Sequence, residues 1–92
     1  MSPRANPYAD FEIELSVGVV DVIQSDNNGL ALHRPAIVIA PKQTPYETLD
    51  TFIHEGLHHI LPEASEKDIH KYSRDLSRLL WSAGYRRLPR KS

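Results

Sequence analysis

Thr44-Pro45-Tyr46-Glu47-Thr48-Leu49-Asp50-Thr51-Phe52-Ile53-His54-Glu55-Gly56-Leu57-His58-His59-Ile60-Leu61-Pro62 is the stretch on which the fold turns. Threonine with glutamate three residues later is a capping box, and Pro45 stands at the first helical position, where a missing N–H costs nothing. These two signals predict a helix from Pro45 to Leu61, closed by Pro62. At about 100° per residue, with Ile53 as origin, Tyr46, Leu49, Ile53, Leu57 and Ile60 fall within about 40° of one line. That stripe is expected to face a sheet.

The sheet is sought upstream. Phe11, Ile13, Leu15, Val17 and Val19 alternate with Glu12, Glu14, Ser16 and Gly18, the period of a strand with one wet face. After Gly18 the phase slips, since Val20 and Val22 occupy the other set, and the slip is read as a bulge or bend within one long strand. Ser25-Asp26-Asn27-Asn28-Gly29 carries the Asn-Gly hairpin signal. Leu30 to His33 would then return antiparallel, Arg34-Pro35 would break it, and Ala36-Ile37-Val38-Ile39-Ala40 is a short buried strand stopped by Pro41. Downstream, Ser65 with Asp68 is a second cap, and Ile69, Tyr72, Leu76, Leu79, Leu80 and Ala83 trace the stripe of a second helix, Ser65 to Ala83, that Gly84 ends. Trp81 and Tyr85 are expected to complete the core. The fold class expected is α+β, a small antiparallel three-stranded sheet over Phe11 to Ala40 followed by two helices.

Composition bounds the rest. The chain has 92 residues, 40 % hydrophobic and 25 % charged, which suits one small globular domain over residues 1–92 with a marginal core. There is no cysteine, so disulfides, thiolate zinc sites and cysteine nucleophiles are excluded, and any metal must be held by His and carboxylate. Met1 to Asp10 reads as a loose lead-in without an apolar signal region, and the longest aliphatic run, Ala36 to Ala40, is far below the roughly 20 residues of a membrane span. A soluble, cytoplasmic protein is expected, with no membrane partner. The net charge of −1 disfavours a general nucleic-acid role. The basic residues Arg86, Arg87, Arg90 and Lys91 crowd residues 86–92, a tail read first as a solvated end and second as a contact for phosphate or an acidic partner.

His54-Glu55-Gly56-Leu57-His58 is an HExxH motif. Residues i and i+4 lie one turn apart on the same side of a helix, so two imidazoles can converge on one ion. On the wheel His54 and His58 fall near about 100° and 140°, clear of the apolar stripe, and Glu55 falls near about 200°, beside them but displaced. That is the place for a general base rather than an equivalent ligand. His59 reads as a surface or partly buried neighbour. A third ligand should come from an acid after Pro62. Glu63, Glu66 and Asp68 qualify, with His70 a further candidate, and the wheel of the second helix does not rank them. Two His, one carboxylate and an open position suit zinc.

The same residues carry a resemblance. His54 to His58, preceded by Ile37-Val38-Ile39-Ala40-Pro41 and followed by the segment from Leu61 to Arg86, resembles a very small HExxH zinc metallopeptidase of the zincin type, in the compact form found in phage and bacterial genomes. It spans roughly Leu30 to Arg87. The resemblance implies Zn2+ held by His54 and His58, Glu55 as the base that activates water, and, in the gluzincin branch, a glutamate from the next helix as third ligand. Among the open candidates Glu66 is the one this likeness selects, because it leads a helix as in small gluzincin-like proteases. The third histidine of metzincins is missing, since Ala64 stands at its position. A peptide or protein substrate, with Ala36 to Ala40 as the edge that receives it, is implied in the same way. Tyr72, His70 and Arg74 are possible oxyanion donors, with Tyr72 read rather as core. Two other readings stand beside this one: a zinc-stabilised binding or structural module without catalysis, and a metal-free interaction domain that uses the basic tail. Oligomeric state is left open.

Overall fold

The computed structural model describes residues 11–24 and 35–87. Within them the chain forms strand β1 (Phe11–Leu15), strand β2 (Gly18–Gln24), strand β3 (Ala36–Ile39), helix α1 (Pro45–Ile60) and helix α2 (Glu66–Ser82). The fold is α+β, a three-stranded sheet in the order β1-β2-β3 followed by two helices. No helix among the described residues is long and apolar enough to cross a membrane.

The sheet is mixed rather than wholly antiparallel. β1 and β2 pair antiparallel, whereas β3 runs parallel to β2 with Asp21 opposite Ala36 and Gln24 opposite Ile39. The expected turn at Ser25 to Gly29 and the return strand Leu30 to His33 lie outside the described residues. The single long strand expected from Phe11 is two strands, because the phase slip at Gly18 marks a complete reversal. Leu15 pairs with Gly18, so Ser16 and Val17 form the turn. Gly18 takes φ +120°, a conformation that L side chains rarely adopt. The reversal explains the apparent continuity of the pattern. Phe11 and Ile13 come to lie opposite Val22 and Val20 on one face, while Val17 sits in the turn and Val19 on the other face, both exposed. Val20, Val22, Ile37 and Ile39 are buried and form the core, with Phe11, Leu15 and Phe52 packed on it.

α1 begins as the capping box requires: Thr44 Oγ1 accepts from the Glu47 N–H at 3.2 Å and Glu47 Oε1 accepts from the Thr44 N–H at 2.9 Å. It packs against β3 and against α2. A helix with two neighbours buries two faces, and the apolar stripe is therefore not its sheet face alone. Phe52 packs on the sheet core and His59 reaches the Ala36 carbonyl, whereas Tyr46 meets the Trp81 ring of α2 edge to face at 5.2 Å.

α2 is capped by Ser65, whose Oγ accepts from the Asp68 N–H at 3.1 Å. It ends in a Schellman turn: Gly84 at φ +93° donates to Trp81 O and Tyr85 donates to Leu80 O, both at 3.0 Å. Its buried line differs from the expected one. Ile69, Ser73 and Ser77 are buried, whereas Tyr72, Leu76 and Leu79 are 43 %, 38 % and 63 % exposed. Tyr85 is exposed as well, so Trp81, half-buried, is the terminal aromatic that packs inward. The helix is turned so that its serines, whose hydroxyls can hydrogen-bond and whose small size permits close approach, meet α1.

Two glycines provide a check of opposite sign. A Cβ would meet nothing within 4 Å at either Gly18 or Gly56. Gly18→Ala is expected to lose about 1–2 kcal/mol through its positive φ, and Gly56→Ala, in the middle of α1, to gain about 0.5–1 kcal/mol. Urea unfolding midpoints of the two variants measure both.

Candidate metal centre

The turn from Leu61 to Ser65 brings α2 back along α1. Leu61 caps α1 with its N–H on Leu57 O at 2.7 Å, and Ala64 donates to Leu61 O at 3.0 Å, so the reversal is tight and hydrogen-bonded. Ser65 then starts α2 at once, which places Glu66 in the first turn of α2 beside the last turn of α1. Three contacts down the helix pair follow from this register: Glu66 with His58, Ser73 with His54, and Ser77 with Asp50.

At the head of that series three side chains converge. His54 Nε2 and His58 Nε2 are 3.2 Å apart, Glu66 Oε2 is 3.1 Å from His54 Nε2, and Glu66 Oε1 is 2.7 Å from His58 Nε2. One ligand atom from each of the three lies within 4.8 Å of the others, and this group could hold a metal ion. The chemistry fits a divalent cation, with two neutral imidazole donors and one carboxylate. The geometry fits too, because a tetrahedral ion with bonds of about 2.0–2.1 Å separates its ligand atoms by about 3.3 Å. The side chains of His54, His58 and Glu66 are 18 %, 35 % and 69 % exposed, so the group is walled on the His54 side and open to solvent at Glu66. An ion here has room for a ligand from solution.

The remaining candidates are placed as follows. Glu55 is half-buried beside His54 on α1 and is not among the three converging groups. Glu63 and Asp68 are exposed and outside the group, and the Asp68 N–H serves the Ser65 cap. His70 lies one turn beyond Glu66, its ring centroid 6.1 Å from that of His54. Tyr72 is exposed on α2, not in the core as its apolar spacing suggested. His59 is half-buried with Nε2 3.2 Å from Ala36 O. Arg86 folds over the Trp81 ring at 3.3 Å and donates to Trp81 O and Tyr85 O, while Arg90 and Lys91 lie outside the described residues.

The residue that sequence reasoning passed over is Ser73. It is buried, with Oγ 3.2 Å from His54 Nδ1 and donating to His70 O at 3.1 Å. The available signal was a pair of serines one turn apart, Ser73 and Ser77, amid the leucines of α2. Comparison with protein-family models, with curated proteins and with solved structures finds no match to this chain.

A site of this composition sets a clear expectation. Equilibrium dialysis against zinc should give about one equivalent bound to the parent, with a rise in melting temperature, because an ion that binds only the folded chain stabilises it. His54→Ala, His58→Ala and Glu66→Ala should each lose tight binding, whereas Glu63→Ala and Asp68→Ala should keep it.

Proposed function

We propose that this protein is a minimal zinc metallopeptidase. The observation that carries the reading is the convergence of His54 and His58 from one turn of α1 with the Glu66 carboxylate from α2, at 2.7 to 3.2 Å, in a group open to solvent. Zinc held there would polarise a peptide carbonyl and make water a stronger acid. Glu55, adjacent to His54 in sequence and half-buried, is the base that takes a proton from the attacking water and passes it to the departing amine. His70, whose ring centroid lies 6.1 Å from that of His54, can donate to developing negative charge on the carbonyl oxygen.

A place for an extended substrate supports the same reading. β3 is an edge strand. The Asp21 N–H donates to Pro35 O at 3.0 Å, so in this parallel ladder Pro35 and Ile37 turn their polar groups toward β2 while Ala36 and Val38 turn theirs to the free edge. His59 takes the Ala36 carbonyl. Val38 then turns its N–H and C=O to the free edge, and among the described residues no hydrogen bond is made to them. α1 runs opposite to β3, since His59 meets Ala36 and Gln43 meets Thr51. His54 is five residues before His59, about 7.5 Å along the helix, which sets it level with Val38, about 6.6 Å along the strand from Ala36. A peptide paired with that edge by strand addition would run along α1 at the level of His54.

Glu55→Gln separates catalysis from binding. The variant should bind zinc as the parent does and lose hydrolysis of a protein or peptide-library substrate by about 10²–10⁴-fold. Equal turnover in parent and variant would remove Glu55 from the reaction. A parent that binds zinc, unfolds on chelation and cleaves nothing would instead be a zinc-stabilised module.

A further inference from the structure

The two histidines are not equivalent in their surroundings, and the difference concerns which ring nitrogen carries the proton. His54 Nε2 and His58 Nε2 face each other at 3.2 Å, so two N–H groups cannot both stand there. His58 holds the shorter contact to Glu66, 2.7 Å against 3.1 Å for His54, and a proton on His58 Nε2 satisfies the carboxylate. Glu66 Oε2, 3.1 Å from His54 Nε2, can take a proton there as well, so what fixes the His54 proton on Nδ1 is the partner at that nitrogen.

Ser73 is placed to receive it. A serine hydroxyl has one proton to give, and within a helix it commonly gives it to a carbonyl of the preceding turn. Ser73 Oγ donates to His70 O at 3.1 Å, which leaves its oxygen lone pairs for a donor, and His54 Nδ1 lies 3.2 Å away. Ser73 is 1 % exposed, so water does not compete for that oxygen. We infer that Ser73 is a positioning residue, which holds His54 as the Nδ1–H tautomer with the Nε2 lone pair already turned toward His58 and Glu66. It acts through His54 and touches neither substrate nor metal. A ligating imidazole whose other nitrogen has a fixed acceptor is set in both rotation and tautomer, and loss of such a partner typically costs 10–100-fold in metal affinity.

The value of the inference for metal binding rests on the zinc reading above, but the tautomer itself does not. Ser77 offers an internal control: it is equally buried, one turn further along α2, and its Oγ lies 2.7 Å from Asp50 Oδ1 and 2.6 Å from Ser73 O, with no hydrogen bond to a histidine among the described residues. The test is a two-bond proton–nitrogen spectrum of the metal-free protein labelled at histidine nitrogen, recorded at a pH where the histidines are neutral, with zinc affinity measured by chelator competition. In the parent, His54 should be protonated on Nδ1. Ser73→Ala should move His54 toward the Nε2–H form and weaken zinc binding by at least about 10-fold. Ser77→Ala should lower the melting temperature and change neither quantity. A parent His54 protonated on Nε2 overturns the inference without recourse to any variant. So does a Ser73→Ala protein whose tautomer or zinc affinity is that of the parent. A parent that binds no zinc defeats the metal reading, while the spectrum of the same metal-free sample still decides the role of Ser73.

Discussion

The antiparallel register of α1 against α2 is the constraint on which the rest of this structure depends. It is set by a short, hydrogen-bonded turn at one end and by the Tyr46–Trp81 ring pair at the other. Between them two hydrogen-bonded pairs bridge the helices, Asp50 with Ser77 and His54 with Ser73. Hydrogen bonds across a half-buried interface specify register more sharply than apolar contacts, because a shift of one residue leaves each partner unpaired. With the register fixed, Glu66 has one place to go, beside His54 and His58. β3, at the edge of the sheet among the described residues, packs alongside α1.

Stability and site are coupled in a chain of this size. Among the described residues the buried apolar ones are few, namely Val20, Val22, Ile37 and Ile39 in the sheet and Ile69 in α2. Glu66 comes from a helix joined to α1 by the Asp50–Ser77 and His54–Ser73 hydrogen bonds and the Tyr46–Trp81 ring pair, among other contacts. A divalent ion shared by His54, His58 and Glu66 would cross-link the two helices where their contact is most exposed, and its binding energy would add to a marginal fold.

Much of the fold was legible in the sequence because its signals are local. The capping box at Thr44 and Glu47, Pro45, the Ser65 cap and Gly84 mark the ends of both helices within a residue or two. What was not legible depended on partners distant in sequence. The phase slip at Gly18 distinguishes a bend from a reversal only when the pairing of Leu15 with Gly18 is known. Parallel pairing of β3 with β2 leaves no local trace in Ala36 to Ile39. On α2 the apolar spacing pointed to Tyr72, Leu76 and Leu79 as core, yet the helix turns its serines inward because α1 offers Asp50 and His54 there. In the site, HExxH spacing places two imidazoles on one side of a helix. The acid that meets them is a matter of the turn after Pro62, which residue types alone do not rank.

X-ray absorption at the zinc edge of the loaded protein addresses the central claim most directly, since it reads the donor set of the ion itself. A shell of about four light atoms near 2.0 Å, with the outer-shell scattering of two imidazoles, is expected of an ion held by His54, His58, Glu66 and one ligand from solution. A shell of about six oxygens without imidazole scattering would contradict a centre built from both helices.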